Sequence, residues 1–554
     1  MWRVGLVFGA VACFLSLAGL VEALHARWVV DGWVSAGQVL LGGLLLGAGA
    51  VSARRTATPG ARRLAAGVVA GATTGAALGL LVWLSRHVDL RSMFVNASPT
   101  LLQLLSAGRA PEEAWLGWVL LGSALGGVGA GMTAAPPRLV GPLATGLGTA
   151  VGLGLFQELV LLVLQPEGLT PVRDWLFVAG GGPTPHGAAA AFALAAAAAS
   201  AWQAVRARPG RVGVLPPRAA RAVWVGVGLV ALLALPLAGG PFVAQVLVIV
   251  GLYTLMGLGL NLEVGLAGLL DLGFVAFFAI GAYTVGLLTS VGEHGIAHWS
   301  FWAAVPVAVL VSLIAGVVLG IPVLGIRGDY LAIATLGFGE IVRLLVLSDA
   351  LRPWLGGSQG VLAIPKPTIL GFELAGPQHL YYLTVVASAV VAFVAWRLQE
   401  SRLGRAWMAI REDEDVAEAL GINLVSVKLL AYGLGAAFAG VGGAIFAVMV
   451  GSVFPHSFQL LISIQVLALI IVGGMGSIPG VLVGSLVLIG LPELLREFGE
   501  FRFLVYGVAL VAMMLLRPEG LLPAAAQRRE LHALEEEKEA AVAAPAAAAP
   551  EGGR

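Results

Sequence analysis

The feature that most constrains this chain is the repetition, along nearly its whole length, of apolar runs about 20 residues long, the length a helix needs to cross a bilayer. Six such runs precede residue 210, near 4–21, 33–51, 64–84, 115–132, 140–164 and 187–204. About ten more follow, near 222–239, 242–262, 265–290, 301–323, 330–347, 380–396, 429–450, 460–473, 478–491 and 503–516. Charged residues make up 11% of the 554, where a soluble protein carries about 25%, and mean hydropathy is +0.94. The expectation is an all-α, polytopic integral membrane protein of about 16 transmembrane helices, surrounded by the lipid bilayer. Arg3 and the small residues up to Ala26 give the first run some likeness to a signal peptide, but its uninterrupted length marks a retained span.

Charge then excludes one class of partner and orients the rest. With 32 basic and 31 acidic residues there is no large basic surface for phosphates, so a nucleic-acid partner is excluded. Cys13 is the single cysteine and lies in an apolar run, which rules out a disulfide framework within the chain and a cysteine-based zinc site. Basic residues collect on the cytoplasmic side of membrane proteins. Arg54, Arg55, Arg62 and Arg63, then Arg138, then Arg206, Arg208, Arg211, Arg218 and Arg221 fill alternate loops that contain no acid. The intervening loops hold fewer basic residues among seven acids, from Glu22 to Asp174. This alternation places both termini in the cytoplasm.

The organisation read from composition is a six-span extension at 1–205, a basic, proline-containing linker at 206–221, a second membrane domain at 222–523 and a tail at 524–554. The tail opens with charged residues, decays into alanine and proline, and is expected to be disordered. No G-x-x-x-x-G-K-[ST] occurs, so the chain carries no ATPase motif of its own, and GGMGSIPG at 473–480 is a turn rather than a phosphate loop. The histidines, among them His186, His294, His298, His456 and His532, show no metal-ligand spacing, and no bound metal or cofactor is expected.

The most informative soluble stretch is 400–440. Glu412, Asp413, Glu414 and Asp415 favour the N-terminal end of a short helix, and Gly421 suits its C-terminal cap. Val416, Ala419 and Leu420 form one small apolar face, fit either for docking in a partner's groove or for lying on the membrane surface. Elsewhere Gly257, Gly259, Gly265, Gly268 and Gly273 surround Asn261, Glu263 and Asp271. An ionisable residue within a bilayer is costly enough to be a functional candidate. Asp271, about seven residues into the 265–290 span, reads as path or packing, and Asn261 and Glu263 as residues of the cytoplasmic interface. Glu340 and Arg343, three apart on one helix, read as a structural pair or as part of an outer gate.

The run GRAWMAIREDEDVAEALGIN, followed by Lys428, resembles the cytoplasmic coupling loop of the branched-chain amino acid permease family of ABC importers, in its LivM form. In order and spacing, GLNLEVGLAGLLDLGFVAFFAIGAY (259–283), GDYLAIATLGFGEIVRL (328–344), GGSQGVLAIPKP (356–367), GGMGSIPG (473–480) and LRPEGLLP (516–523) are similar to further family motifs. Residues 1–210 resemble nothing in that pattern and carry no second coupling loop, which fits an accessory bundle better than a tandem permease. The resemblance implies a non-enzymatic permease subunit that moves leucine, isoleucine, valine or related small solutes inward across a cell membrane. Urea and short-amide permeases share the architecture. It implies a LivH-type partner permease, two cytoplasmic ATPase subunits that use ATP, and an extracytoplasmic substrate-binding protein. The ATPase-coupling residues would be Gly404, Ile410, Glu412, Asp413, Val416, Ala417, Glu418, Ala419, Leu420 and Gly421. Candidates for the transport path are Asn261, Gly268, Asp271, Gly273, Glu340 and Arg343. Two readings from other classes are an ion-coupled secondary carrier, which should show inverted repeats and needs no coupling helix, and a non-transporting scaffold.

Overall fold

The computed structural model describes residues 1–56, 60–94, 96–164, 169–179, 181–206, 228, 232–237, 239–326, 328–494, 496, 501–517 and 519–523. The expected basic linker, all but Arg206, the tail, and most of the span expected at 222–239 lie outside them. Among the described residues ten helices are long and apolar enough to cross a membrane, and three shorter apolar helices accompany them. Without water to satisfy peptide groups, a lipid-exposed segment must bond its own backbone, which a helix does. The chain is a multi-pass membrane protein and divides into two compact units, Met1–Gly226 and Val227–Arg554.

The first unit holds α1 (Trp2–Leu17), α2 (Leu20–His25), a short hairpin of β1 (Trp28–Val30) and β2 (Val34–Ser35), α3 (Ala36–Arg54), α4 (Ala61–His87), α5 (Pro99–Ser106), α6 (Pro111–Ala134), α7 (Pro137–Leu155), α8 (Gln157–Val163), α9 (Thr170–Leu176) and α10 (Pro185–Arg206). Small residues let α4 and α6 touch backbone to backbone: a Cβ at Gly71 would lie 2.0 Å from the Gly122 carbonyl oxygen. The single crossing expected at 140–164 is instead two helices broken at Phe156. Gly152 and Gly154 weaken the helix there, and Gln157 and Glu158 follow with polar side chains.

The second unit holds α11 (Gly240–Leu260), α12 (Val275–Thr289), α13 (Phe301–Gly320), α14 (Asp329–Leu347), the hairpin β3 (Thr368–Ile369) and β4 (Phe372–Glu373), α15 (Pro377–Gln399), α16 (Arg402–Glu412), α17 (Glu414–Ala419), α18 (Leu424–Val450), α19 (Leu460–Gly473), α20 (Ile478–Ser485) and α21 (Phe501–Leu516). The central element is α18, with 72% of its apolar stretch buried against 22% for α14. It packs along α11, α12 and α13. At the α12 crossing a Cβ on Gly443 would lie 2.0 Å from the Phe278 carbonyl oxygen, so only glycine permits the approach.

The span expected at 265–290 starts ten residues late. A π-helical turn, Asn261–Leu266, ends α11, and an irregular segment leads to α12 at Val275. Gly268 turns the chain at φ 72°. A Cβ on Gly273 would fall 2.0 Å from the Thr335 carbonyl oxygen, so only glycine permits the approach of α14 there. The unit's far end is stitched to its own turn. Leu521 and Leu522 donate from their backbone N–H groups to the carbonyls of Val472 and Gly473 at 2.8 and 2.9 Å.

Candidate functional site

Two groups of residues are the candidates: the helices α16 and α17, and the broken segment between α11 and α12. The first is anchored rather than loose. Ser401 caps α16 by accepting from the Leu403 and Gly404 N–H groups, and Gly404 packs against the carbonyl end of α15. Trp407 and Ile410 point inward, and the fully buried Trp407 indole donates to the Val427 carbonyl at 2.8 Å. Asp413 caps α17 by accepting from the Asp415 and Val416 N–H groups, while Glu414 and Asp415 occupy its first turn. Glu412 ends the preceding helix instead.

At the other end of α17, Gly421 adopts φ 87°. The Ile422 N–H donates to the Ala417 carbonyl and the Gly421 N–H to the Glu418 carbonyl, at 3.1 and 2.9 Å, which is a Schellman close. Ala417 is buried and seats the helix. Val416, Glu418, Ala419 and Leu420 are exposed, with Leu420 at 76%. Lys428, at the start of α18, pairs with Glu414 at 2.7 Å and is itself buried. The result is a rigid helix that presents a small apolar face outward.

In the second group Asn261 and Glu263, expected at an interface, are enclosed by protein, at 2% and 0% exposure. The π turn rotates both side chains inward against α18 and the 473–480 turn. Asn261 Oδ1 accepts from the Gly476 N–H at 2.8 Å, and the Gly476 carbonyl accepts from Gln399 Nε2 at 3.1 Å. The Glu263 carboxyl rests where Gly435 of α18 has no side chain: a Cβ there would lie 2.0 Å from Oε1. Asp271 is buried, and its Oδ1 accepts from the Gly273 N–H at 2.7 Å. Thr335 Oγ1 accepts from the Leu272 N–H at 3.0 Å.

Sequence reasoning missed Arg411, which joins the two groups. Its Nη1 donates to the Gly265 carbonyl at 2.7 Å, and its stem packs on Gly268. A basic residue amid REDED was the available signal, but its partner lies 146 positions away. Tyr432 was also missed, because in sequence it is one aromatic among apolar residues. Glu340 and Arg343 form a two-pronged pair on α14, half-exposed. On the loop before α15, Lys366 Nζ donates to the Val448 and Met449 carbonyls at 2.6 and 2.9 Å, a cation at the C-terminal end of α18. Burial pushes this ammonium below its usual range, and Glu373 opposes the shift. Among the described residues no cluster of three or more His, Cys, Asp or Glu could hold a metal.

Residues 242–517 match the family of the branched-chain amino acid transport system permease component. The high-affinity branched-chain amino acid transport system permease protein LivM of Salmonella typhimurium is 43% identical over 295 residues, 49% of this chain and 68% of that protein. The chain belongs to this permease family. LivM of Escherichia coli is 42% identical over the same length, and the Escherichia coli permease LivH 24% over 287 residues, covering 91% of that protein. No solved structure matches the permease. The matched region contains both residue groups and excludes the whole first unit.

Proposed function

We propose that this permease is a membrane subunit of an ABC importer that moves branched-chain amino acids or closely related small solutes into the cytoplasm. Family membership supports the permease role, and the relatives' names supply the solute class. The observation that carries energy coupling is the capped helix α17, held by buried Trp407, Ala417 and the Lys428–Glu414 pair while Val416, Ala419 and Leu420 remain exposed. An anchored helix with an exposed apolar face is a lever on which a partner can push. The partners are a LivH-type permease, two cytoplasmic ATPases that hydrolyse the ATP, and an extracytoplasmic binding protein; this chain catalyses no reaction itself. The alternation of basic loops along about 16 expected crossings supports cytoplasmic termini and α17 on the ATPase side. Asn261, Gly268, Asp271 and Gly273 belong to the element that moves with α16.

Replacing Leu420 by Asp puts an unpaired charge into that contact, which costs about 3–5 kcal/mol when the contact is buried. Uptake in reconstituted vesicles and copurification of the ATPases should both fall, while the detergent-solubilised permease keeps its melting temperature. Normal uptake and normal copurification in Leu420→Asp would remove α17 as the docking element.

A further inference from the structure

Among the described residues of the second unit, the Glu263 carboxyl is a fully enclosed polar group with both oxygens unsatisfied. It lies within electrostatic reach of Asp271, and among the described residues no ion pair includes either acid. Two ionised carboxyl groups held together away from water repel each other and both forfeit hydration. Two carboxylates are, moreover, acceptors only and form no bond with each other. A single proton resolves both problems.

The local geometry distinguishes the two acids. The Gly273 N–H donates to Asp271 Oδ1 and favours charge on that carboxyl, whereas the Glu263 oxygens accept nothing that would offset a charge. A second buried group points to the same place. The Tyr432 hydroxyl has no partner among the described residues, lies within reach of both acids, and borders with Asp271 and Thr335 a crevice of about 10 Å³. That is room for about one water. The Thr335 hydroxyl of α14 faces Asp271 and also donates to the Ala332 carbonyl, and the other nearby groups are engaged elsewhere or apolar: Arg411 of α16 bonds the Gly265 carbonyl, Asn261 accepts from Gly476, and α12 and α13 present Phe277 and Leu319.

We propose that Glu263 and Asp271 form a proton-binding site in the membrane interior. Glu263 carries the proton on one carboxyl oxygen and donates it to ionised Asp271, with Tyr432 placed to reach the same carboxylate through one water. Two acids and one proton leave a single negative charge, which rests on Asp271 and is offset by the Gly273 N–H. The site stands on these residues alone and does not depend on which solute is carried.

Infrared spectroscopy of the full-length chain in lipid nanodiscs tests this. At neutral pH a protonated-carboxyl stretch, moved by deuterium exchange, is expected. Glu263→Gln should abolish it, whereas Asp271→Asn should keep it but shift it to higher frequency, because the charged acceptor is gone. Absence of the band in the native chain, or its persistence in Glu263→Gln, would overturn the proposal. If Glu263→Gln does not insert, an unshifted band in Asp271→Asn does the same. A melting temperature raised by sodium or potassium but not by choline at equal ionic strength, with the rise lost in Asp271→Asn, would assign a metal ion to the pair and likewise overturn it.

Discussion

At Asp271 one side chain holds its own turn in shape and closes the face of a buried acid. Its Oδ1 takes the Gly273 N–H, and that glycine is where α14 comes nearest. Asn keeps an acceptor at the same position and Leu does not. Leaving the buried N–H without a partner costs about 1–3 kcal/mol. The melting temperature should therefore fall in Asp271→Leu and stay near the native value in Asp271→Asn, as followed by thermal unfolding of the purified chain. Equal melting temperatures for the native chain and the Leu variant would show that the Gly273 bond contributes nothing. That Asp271 stands out is legible in the sequence, since it is an acid among leucines. The inward rotation of Glu263 is not, because the π turn that causes it is fixed by Arg411 and Gly476, far along the chain.

Among elements, the packing of α12 on α18 is one of the contacts that admit only glycine. At Gly443 any side chain meets the Phe278 backbone, which cannot swing aside as a flexible side chain would. Gly443→Val should destabilise the second unit by about 1–3 kcal/mol through overpacking, read as a lower melting temperature and faster proteolysis of the α18 region. Unchanged melting and proteolysis would mean that the helices can part without cost. The C-terminal end of α17 was legible from Gly421, and its start only approximately from the acidic run Glu412 to Asp415, of which Asp413 is the cap and Glu412 ends the preceding helix. The break before α12 was not legible: GLAGLLDLGF reads as continuous apolar helix, whereas the chain turns left-handed at Gly268, where Arg411 from a distant helix packs.

For the whole molecule, the alternation of basic loops makes a claim about sidedness that can be checked chemically. In a Cys13→Ser chain, single cysteines at Thr58 and Ala110 should react with an impermeant maleimide from opposite faces of sealed, oriented vesicles. Reaction of both from one face would break the six-span reading of the first unit. Family membership was legible because its motifs are dense between 259 and 523, whereas the first unit lies outside the matched residues and offers only hydropathy and charge.

The stitch between Leu521, Leu522 and the carbonyls of Val472 and Gly473 also bears on the order of biogenesis. The same turn holds Asn261 through Gly476, so the segment bearing the buried acids is braced by residues synthesised some 200 positions later. The ribosome must therefore release residue 522 before the 473–480 turn can be fastened and the earlier helices held in register. Until then the nascent permease carries a half-closed bundle in the bilayer, and a chain stopped just short of Leu521 would be inserted but left open.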